Sequence, residues 1–487
     1  MTRDRSIPIP SPPTPASTGI LRVLGDQIVG EDGKPIILRG AGLGGHLNME
    51  NFITGYPGHE HEMRRALKAA LGEERYDFFF DKIWQFLEYF FTEADAKFFA
   101  SLGFNCIRIP FNYRHFEDNM NPGVYLERGF QWLDRIVNIC AAEGIYTILD
   151  LHSAPGGQNP GWHCDSGINK SLFWEHVEFQ NRAIALWEAL AARYRGNTWV
   201  SYNPLNEPCD EDHTCLLSWY SRVEKAIRGI DPDHILFWDG NTYATDFSHF
   251  GAPLPNSVYA CHDYSTYGFP DGEPYKGTEE QKAKLVSALG KKIEYQKQHN
   301  GPIWNGEWGP VYASPDDTPD WQEVNKDRYH LVKDQLQLYE NACISWSIWL
   351  YKDIGFQGMV HTSPDSEYMK LVQPFLARKK EFALDSWGCD SKRVASTFQP
   401  VEEWMLNAVT LQSPNLANRY PALGSGAKRH ISRVLREMLL SEAMTVEYAS
   451  YFAPLSETEL DKVAASFKFE NCIQRTGLNE AIRPKLL

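Results

Sequence analysis

The sequence predicts an α/β fold: a (β/α)8 barrel with a long insertion after its first strand and a helical C-terminal extension. Three observations carry that expectation. Eight short apolar runs recur along the chain, amphipathic helical patterns fill the gaps between them, and beyond about residue 380 the strand rhythm stops. Near-continuous apolar runs suit parallel strands buried on both faces, and strands that alternate with helices wind into a barrel. An open, doubly wound sheet is the competing architecture, because strand number alone does not exclude it.

Taken in order, residues 1–18 are rich in Pro and Ser and read as a flexible N-terminal arm. The barrel domain is expected over 19–380. Its strands are "PIILRGAG" (35–42), "FNCIRIPF" (104–111), "IYTILDLH" (145–152), "WVSYNPLNEP" (199–208), "HILFWDG" (234–240), "SVYACHDY" (257–264), "PIWNGEWG" (302–309) and "ACISWSIWLY" (342–351). Residues 46–90 form the insertion. Thr92 is placed to cap a helix that closes at Gly103. Leu133, Ile136, Val137 and Cys140 follow the i, i+3, i+4, i+7 spacing of a helix that Gly144 can end. The stretches 171–195, 216–229, 279–299 and 323–340 read as further helices. The extension, 381–487, is expected to be helical and docked on the barrel, with Ser456 and Glu459 as a capping box.

Composition narrows the function. Against 48 basic residues stand 63 acidic ones, a net charge of −15, which argues against nucleic acid or an anionic membrane as partner. No apolar stretch reaches the ~18 residues of a membrane span. The N-terminus has no apolar h-region, so the expectation is a cytoplasmic enzyme, or a secreted one in trimmed form. Nine cysteines, several inside apolar runs, suit buried thiols, with Cys209 and Cys215 free to pair in a loop. Aromatic residues reach 13%, and exposed Trp and Tyr make flat platforms for sugar rings.

In such a barrel chemistry belongs at the C-terminal ends of the strands. Those ends carry Arg108 and Asn112, Asp150 and His152, Asn206 and Glu207, His262 and Tyr264, Glu307, and Trp346 and Trp349. Glu207 ends the fourth strand and Glu307 the seventh, so the two carboxylates would face each other across the mouth. Facing carboxylates serve glycoside hydrolysis, one donating a proton and one acting as nucleophile or base. Metal binding is the rival use, but the neighbours are Asn, Trp and Arg rather than further ligands, so neither metal nor cofactor is expected. His163 and Cys164 lack the second pair that a zinc site needs. Trp346 reads as core. "GAGLGG" (40–45) matches the dinucleotide fingerprint G-x-G-x-x-G and raises an NAD-dependent oxidoreductase as a remote alternative. It leads into a Pro-containing, turn-rich segment instead of a helix. A barrel that binds sugar without cleaving it would lack one of the two carboxylates.

"NEP" at 206–208 and "NGEWG" at 305–309 together resemble glycoside hydrolase family 5 of clan A. "RIPF" with Arg108, "LDLHSAPG" with His152, "HDY" with His262 and Tyr264, and "SWSIWLYKD" with Trp349 agree with it. "RGAGLGG" resembles the opening of the exo-β-1,3-glucanase branch, although His46 stands where that branch carries Trp. The resemblance implies a retaining double displacement, with Glu307 as nucleophile and Glu207 as acid/base. Arg108 and Tyr264 would support Glu307, and Asn206 would bind the sugar 2-hydroxyl. His152 and His262 would bind hydroxyls or orient carboxylates, while Trp349 floors the reacting ring. The negative charge of Glu307 and partial burial are expected to keep Glu207 protonated. Asn112, Trp162, His163, Glu50, Trp308, Tyr351 and Lys352 are further rim candidates. The substrate expected is a small β-glucoside or oligosaccharide cleaved from its end. An endo-β-glucanase, a β-xylosidase or a glycolipid glycosidase are the alternatives.

Overall fold

Eight parallel strands close on themselves: β1 (Arg39–Gly42), β2 (Cys106–Asn112), β3 (Tyr146–Ser153), β4 (Val200–Asn203), β5 (Leu236–Asp239), β6 (Ser257–His262), β7 (Ile303–Glu307) and β8 (Ser345–Ile348). Each pairs with the next, and β8 returns to β1 through Trp346, Ser347 and Ile348 against Arg39, Gly40 and Ala41. The closed ring rules out the open sheet. Of all the strand residues only Arg39 and Ile303 are less than buried, which is why the strands read as continuous apolar runs. The ladder slips between Cys261 and His262, so that His262 lies opposite Glu307. A bulge of this kind re-aims a side chain, here toward the barrel mouth. The computed structural model describes residues 19–81, 85–384, 387, 391–412, 431 and 433–483. The expected flexible arm, 1–18, lies outside the described residues.

The helices follow their sequence signals with two differences. Thr92 and Asp95 form a capping box at Glu93–Ser101, and Gly144, at φ 74°, follows Glu127–Ala142. The helix expected over 171–195 begins only at Val177, after a 3-10 turn at Leu172–Trp174. The one expected over 279–299 divides at Ile293, whose side chain drops into the core at φ −108° and ψ 9°. A hairpin, Arg22–Leu24 with Gln27–Val29, packs Leu21 and Ile28 against a cluster of strand residues that includes Leu38, Cys106, Ile148, Phe237 and Trp304. Cys215 stays a thiol, its Sγ 3.7 Å from the Trp174 carbonyl, so the loop bridge to Cys209 does not form.

Insertion and extension build on each other. Within the insertion lie α1 (Glu60–Tyr76) and α2 (Gln85–Phe90). From the extension, α3 (Ser441–Phe452) packs on α1 and α4 (Glu457–Ala465) packs on α2. Phe452 meets Phe79 with ring centroids 5.8 Å apart, and Phe467 meets Phe86 at 5.0 Å and Phe90 at 5.5 Å. Ser456 and Glu459 form the expected capping box. The extension is not wholly helical, however. Cys472–Gln474 pairs antiparallel with Val360–Thr362, which itself lies beside Lys352–Asp353. Among the described residues no helix is long and apolar enough to cross a membrane.

Candidate active site

A cavity of about 730 Å³ opens at the C-terminal rim of the barrel. Glu50, His152, Glu207, His262, Tyr264 and Glu307 supply its polar surface, and Trp162, Tyr243, Phe269, Trp349 and Trp387 its aromatic one. Strand ends place most of the polar groups. Glu50 comes from the insertion and Trp387 from the segment after the barrel.

Glu307 ends β7 with both carboxylate oxygens engaged. Oε1 accepts a very short hydrogen bond from Arg108 Nη1, and Oε2 accepts one of 3.0 Å from the Tyr264 hydroxyl. Arg108 is fully buried on β2, a costly position for a charge unless every donor is matched. It is matched: Nη2 donates to Asn206 Oδ1 at 2.7 Å and to Asn203 Oδ1 at 3.0 Å, Nε reaches Asn203 at 3.2 Å, and Asp150 Oδ2 lies 3.1 Å from Nη2. A cation and a hydroxyl at these positions stabilise an ionised, oriented carboxylate.

Glu207 follows β4 with its backbone in the left-handed region, φ 45°, which non-glycine residues seldom adopt. Two side chains hold that conformation. The Glu207 N–H donates to Asp239 Oδ2 at 2.9 Å, and Asn159 Nδ2 donates to the Glu207 carbonyl at 2.9 Å. Around the carboxyl, His262 Nδ1 lies 2.7 Å from Oε1 and His163 Nε2 lies 3.2 Å from Oε2. Here the expected account of its charge needs correction. Burial pushes the Glu207 carboxyl up, while hydrogen bonds from His163 and His262, where both rings present an N–H, hold it well below the usual carboxylate range, so its protonation turns on those imidazoles and not on Glu307 alone. The imidazole of His262 is held above its ordinary value; burial opposes this, and the carboxylates of Glu307, Glu207 and Asp239 overcome it.

One ligand-type atom from each of Glu207, His262 and Glu307 lies within 4.8 Å of the others. These are the donors among the described residues that a cation would have to share. Arg108 and Tyr264 already occupy both oxygens of Glu307, so positive charge is supplied by the chain itself. Cys164 is no ligand either. Burial raises its thiol to about 11, and Sγ donates to the Asn159 and Gly161 carbonyls at 2.8 and 3.0 Å.

His152 ends β3 with Nδ1 2.7 Å from Asp150 Oδ2 and Nε2 3.5 Å from Glu50 Oε1. Burial would lower its pKa, yet Asp150 above all raises it to about 10. Its ring stacks on Trp349, the planes 6° apart. Beneath Trp349 lie Gly42 and Gly44, where a Cβ would come within 2.6 and 2.7 Å of the indole. That close approach accounts for Gly42 and Gly44 of "GAGLGG", and no helix opens there.

The sequence candidates therefore separate. Glu50, His152, Trp162, His163, Glu207, His262, Tyr264, Glu307 and Trp349 line the cavity, while Arg108 and Asn206 stand directly behind it. Four others do not reach it. Asn112 Nδ2 binds Asp165 Oδ2 at 2.9 Å beneath the insertion, and Trp308 packs edge-on against Trp346 at 5.5 Å. Tyr351 and Lys352 turn inward to Asp95. His46 is buried against Trp132, its Nε2 3.0 Å from the Leu87 carbonyl, with burial lowering its pKa to about 3. Sequence reasoning missed Asp239, Asn159, Tyr243, Phe269 and Trp387. Asp239 alone had a legible signal, an acid at the end of the fifth apolar run.

The cellulase family profile, glycosyl hydrolase family 5, matches residues 77–355. A protein named β-xylosidase from Phanerodontia chrysosporium is 53% identical, over 95% of this chain and 97% of its own length. Endoglucanase C from Acetivibrio thermocellus is 29% identical over 44% of this chain and 60% of its own. A probable glucan 1,3-β-glucosidase A from Aspergillus fumigatus is 23% identical over 66% of this chain and 84% of its own.

Proposed function

The chain belongs to glycoside hydrolase family 5 and is an O-glycosyl hydrolase, and on that footing we propose a retaining β-glycosidase that removes single sugars from the ends of short β-glycosides. The observation that carries the mechanism is the spacing of the two carboxylates. Oxygens of Glu207 and Glu307 lie within 4.8 Å. Retention needs carboxyl groups about 5–5.5 Å apart, whereas inversion needs about 6.5 Å or more to admit a water.

Glu307, held ionised by Arg108, attacks the anomeric carbon. Glu207 gives its proton to the departing glycosidic oxygen as that bond breaks, leaving the sugar esterified to Glu307. Water then attacks the same carbon, Glu207 takes its proton, and the ester bond breaks to restore the Glu307 carboxylate. Asn206, fixed by Arg108, gives its amide to the 2-hydroxyl, and Trp349 floors the ring. End-cleavage is supported by the cavity walls: Glu50 from the insertion and Trp387 from beyond the barrel stand at the mouth, where an open cleft would let a polymer pass. The 53% identical relative bears the name β-xylosidase, so β-xylosides stand beside β-glucosides as the substrates to test first.

Aryl β-xyloside, aryl β-glucoside and β-1,3-, β-1,4- and β-1,6-linked oligosaccharides form the test panel. Single sugars released with β configuration support the proposal, and mid-chain products or an inverted anomer overturn it. Glu307→Gly should lose about 10³-fold or more in kcat on an activated aryl glycoside, with turnover restored by azide. Near-normal activity without azide would remove Glu307 from the nucleophile role.

A further inference from the structure

The ionised form of Glu207 requires His163 to present an N–H at Nε2, and a third side chain bears on that requirement. Asn159 Nδ2 lies 2.8 Å from the same nitrogen. The orientation of the Asn159 amide is not free to reverse. Its Oδ1 accepts from the Gly161 N–H at 2.8 Å, and its Nδ2 donates one hydrogen to the Glu207 carbonyl at 2.9 Å. Reversal would set an amide N–H against Gly161 N–H and oxygen against oxygen. The second hydrogen on Nδ2 therefore points at His163 Nε2, which must meet it with a lone pair. An imidazole with a lone pair on Nε2 carries its proton on Nδ1.

Building on the acid/base role of Glu207, we propose that Asn159 and His163 place the catalytic proton: Asn159 holds His163 as the Nδ1–H tautomer, so that Nε2 meets Oε2 of Glu207 with a lone pair shared with Asn159 and with no N–H to favour the ionised carboxylate. His262 Nδ1–H donates to Oε1 across 2.7 Å, and the Oε2 hydroxyl donates to His163 Nε2 across 3.2 Å. When a glycosidic oxygen docks, the Oε2–H bond breaks toward it as the bond from the anomeric carbon to that oxygen cleaves. Asn159 then remains as the partner of Nε2. His163 and Asn159 are positioning residues that act through Glu207.

The framework around the pair is fixed. The His163 carbonyl accepts from Ser153 Oγ at 2.6 Å and from Asn48 Nδ2 at 3.3 Å, which ties the loop after β3 to both the barrel and the insertion. Other charged or titratable groups face the site from every side. Asp239 lies 3.6 Å from His262 Nε2, and Glu307 lies 3.7 Å from His262 Nδ1. The rings of His152 and Tyr243 stand 5.6 and 6.4 Å from that of His163, and Lys292 and Asp271 line the cavity.

The tautomer itself can be read from the enzyme with ¹⁵N-labelled histidine. Long-range ¹H–¹⁵N spectra, assigned by the signal lost in His163→Phe, should show the His163 proton on Nδ1; a proton on Nε2 overturns the proposal. This readout stands whether or not Glu207 is the acid, whereas Glu207→Ala with azide rescue on an activated glycoside tests that role separately. The pH profile of kcat/KM gives a second arm, because its basic limb falls as the acid loses its proton. In Asn159→Asp the new carboxylate favours an N–H on His163 Nε2, which stabilises ionised Glu207. The basic limb should move down by about one pH unit, with the acidic limb in place. His163→Phe removes the acceptor that faces Oε2 and should lower the basic limb slightly. If His163→Phe raises it by about one pH unit while Asn159→Asp leaves it unmoved, His163 is a donor and the proposal fails.

Discussion

Arg108 spans Glu307, Asn203, Asn206 and Asp150 with one guanidinium, and no other side chain type covers that set. Arg108→Lys keeps the charge and loses the fork. Its kcat on an aryl β-glycoside should fall about 10²-fold or more, and its thermal midpoint should drop because Asp150 is left poorly paired in the core. Unchanged kcat would show that charge alone suffices. Glu207 and Glu307 were legible because an acid at the end of an apolar strand has few structural uses. Asp239 sits at an equivalent position and was passed over, because its work is done on a backbone N–H that the sequence does not display. What governs the charge of Glu207 was not legible for a related reason. Spacing indicates that Glu307 faces it, but not that His163 arrives from a loop.

At the scale of elements, Asp165 ties the loop after β3 to the insertion. It accepts from the His61 N–H at 2.9 Å, lies 2.7 Å from His61 Nδ1 and 2.9 Å from Arg114 Nε, and binds Asn112 Nδ2 at 2.9 Å. Burial alone would raise its pKa, but His61 and Arg114 hold it well below the ordinary carboxylate value. A depressed folded-state pKa contributes stability that is fully present above the unfolded value, about 3.9, and is lost as pH falls through the folded one. Thermal midpoints of wild type and Asp165→Asn should differ by a constant amount above about pH 5, and the gap should narrow steadily as pH falls below about 4. A gap that does not narrow on acidification would remove Asp165 as its source. Phe452, fully buried on α3, offers a separate test. Phe452→Ala should cost about 3–5 kcal/mol of unfolding free energy by denaturant titration while the folded enzyme keeps its kcat. The barrel strands and most helices were legible from periodicity and caps. Cys472–Gln474 was not, since three residues carry no alternation to read.

The whole molecule carries a net charge of −15, a field that opposes the approach of an anionic substrate. A glycoside of a uronic acid should therefore show a lower kcat/KM than its neutral counterpart at low ionic strength, with the deficit shrinking as salt is added. A deficit independent of salt would place the discrimination in contacts instead of the field. The barrel was legible at this scale, but the docking of extension on insertion was not, because an apolar helix face does not name its partner. That docking also sets an order of events during synthesis. Phe79, Phe86 and Phe90 leave the ribosome hundreds of codons before Phe452 and Phe467, the rings that cover them. Until then a completed ring of strands coexists with an uncovered aromatic face, a nascent form that chaperones would recognise and that a premature stop codon would make permanent.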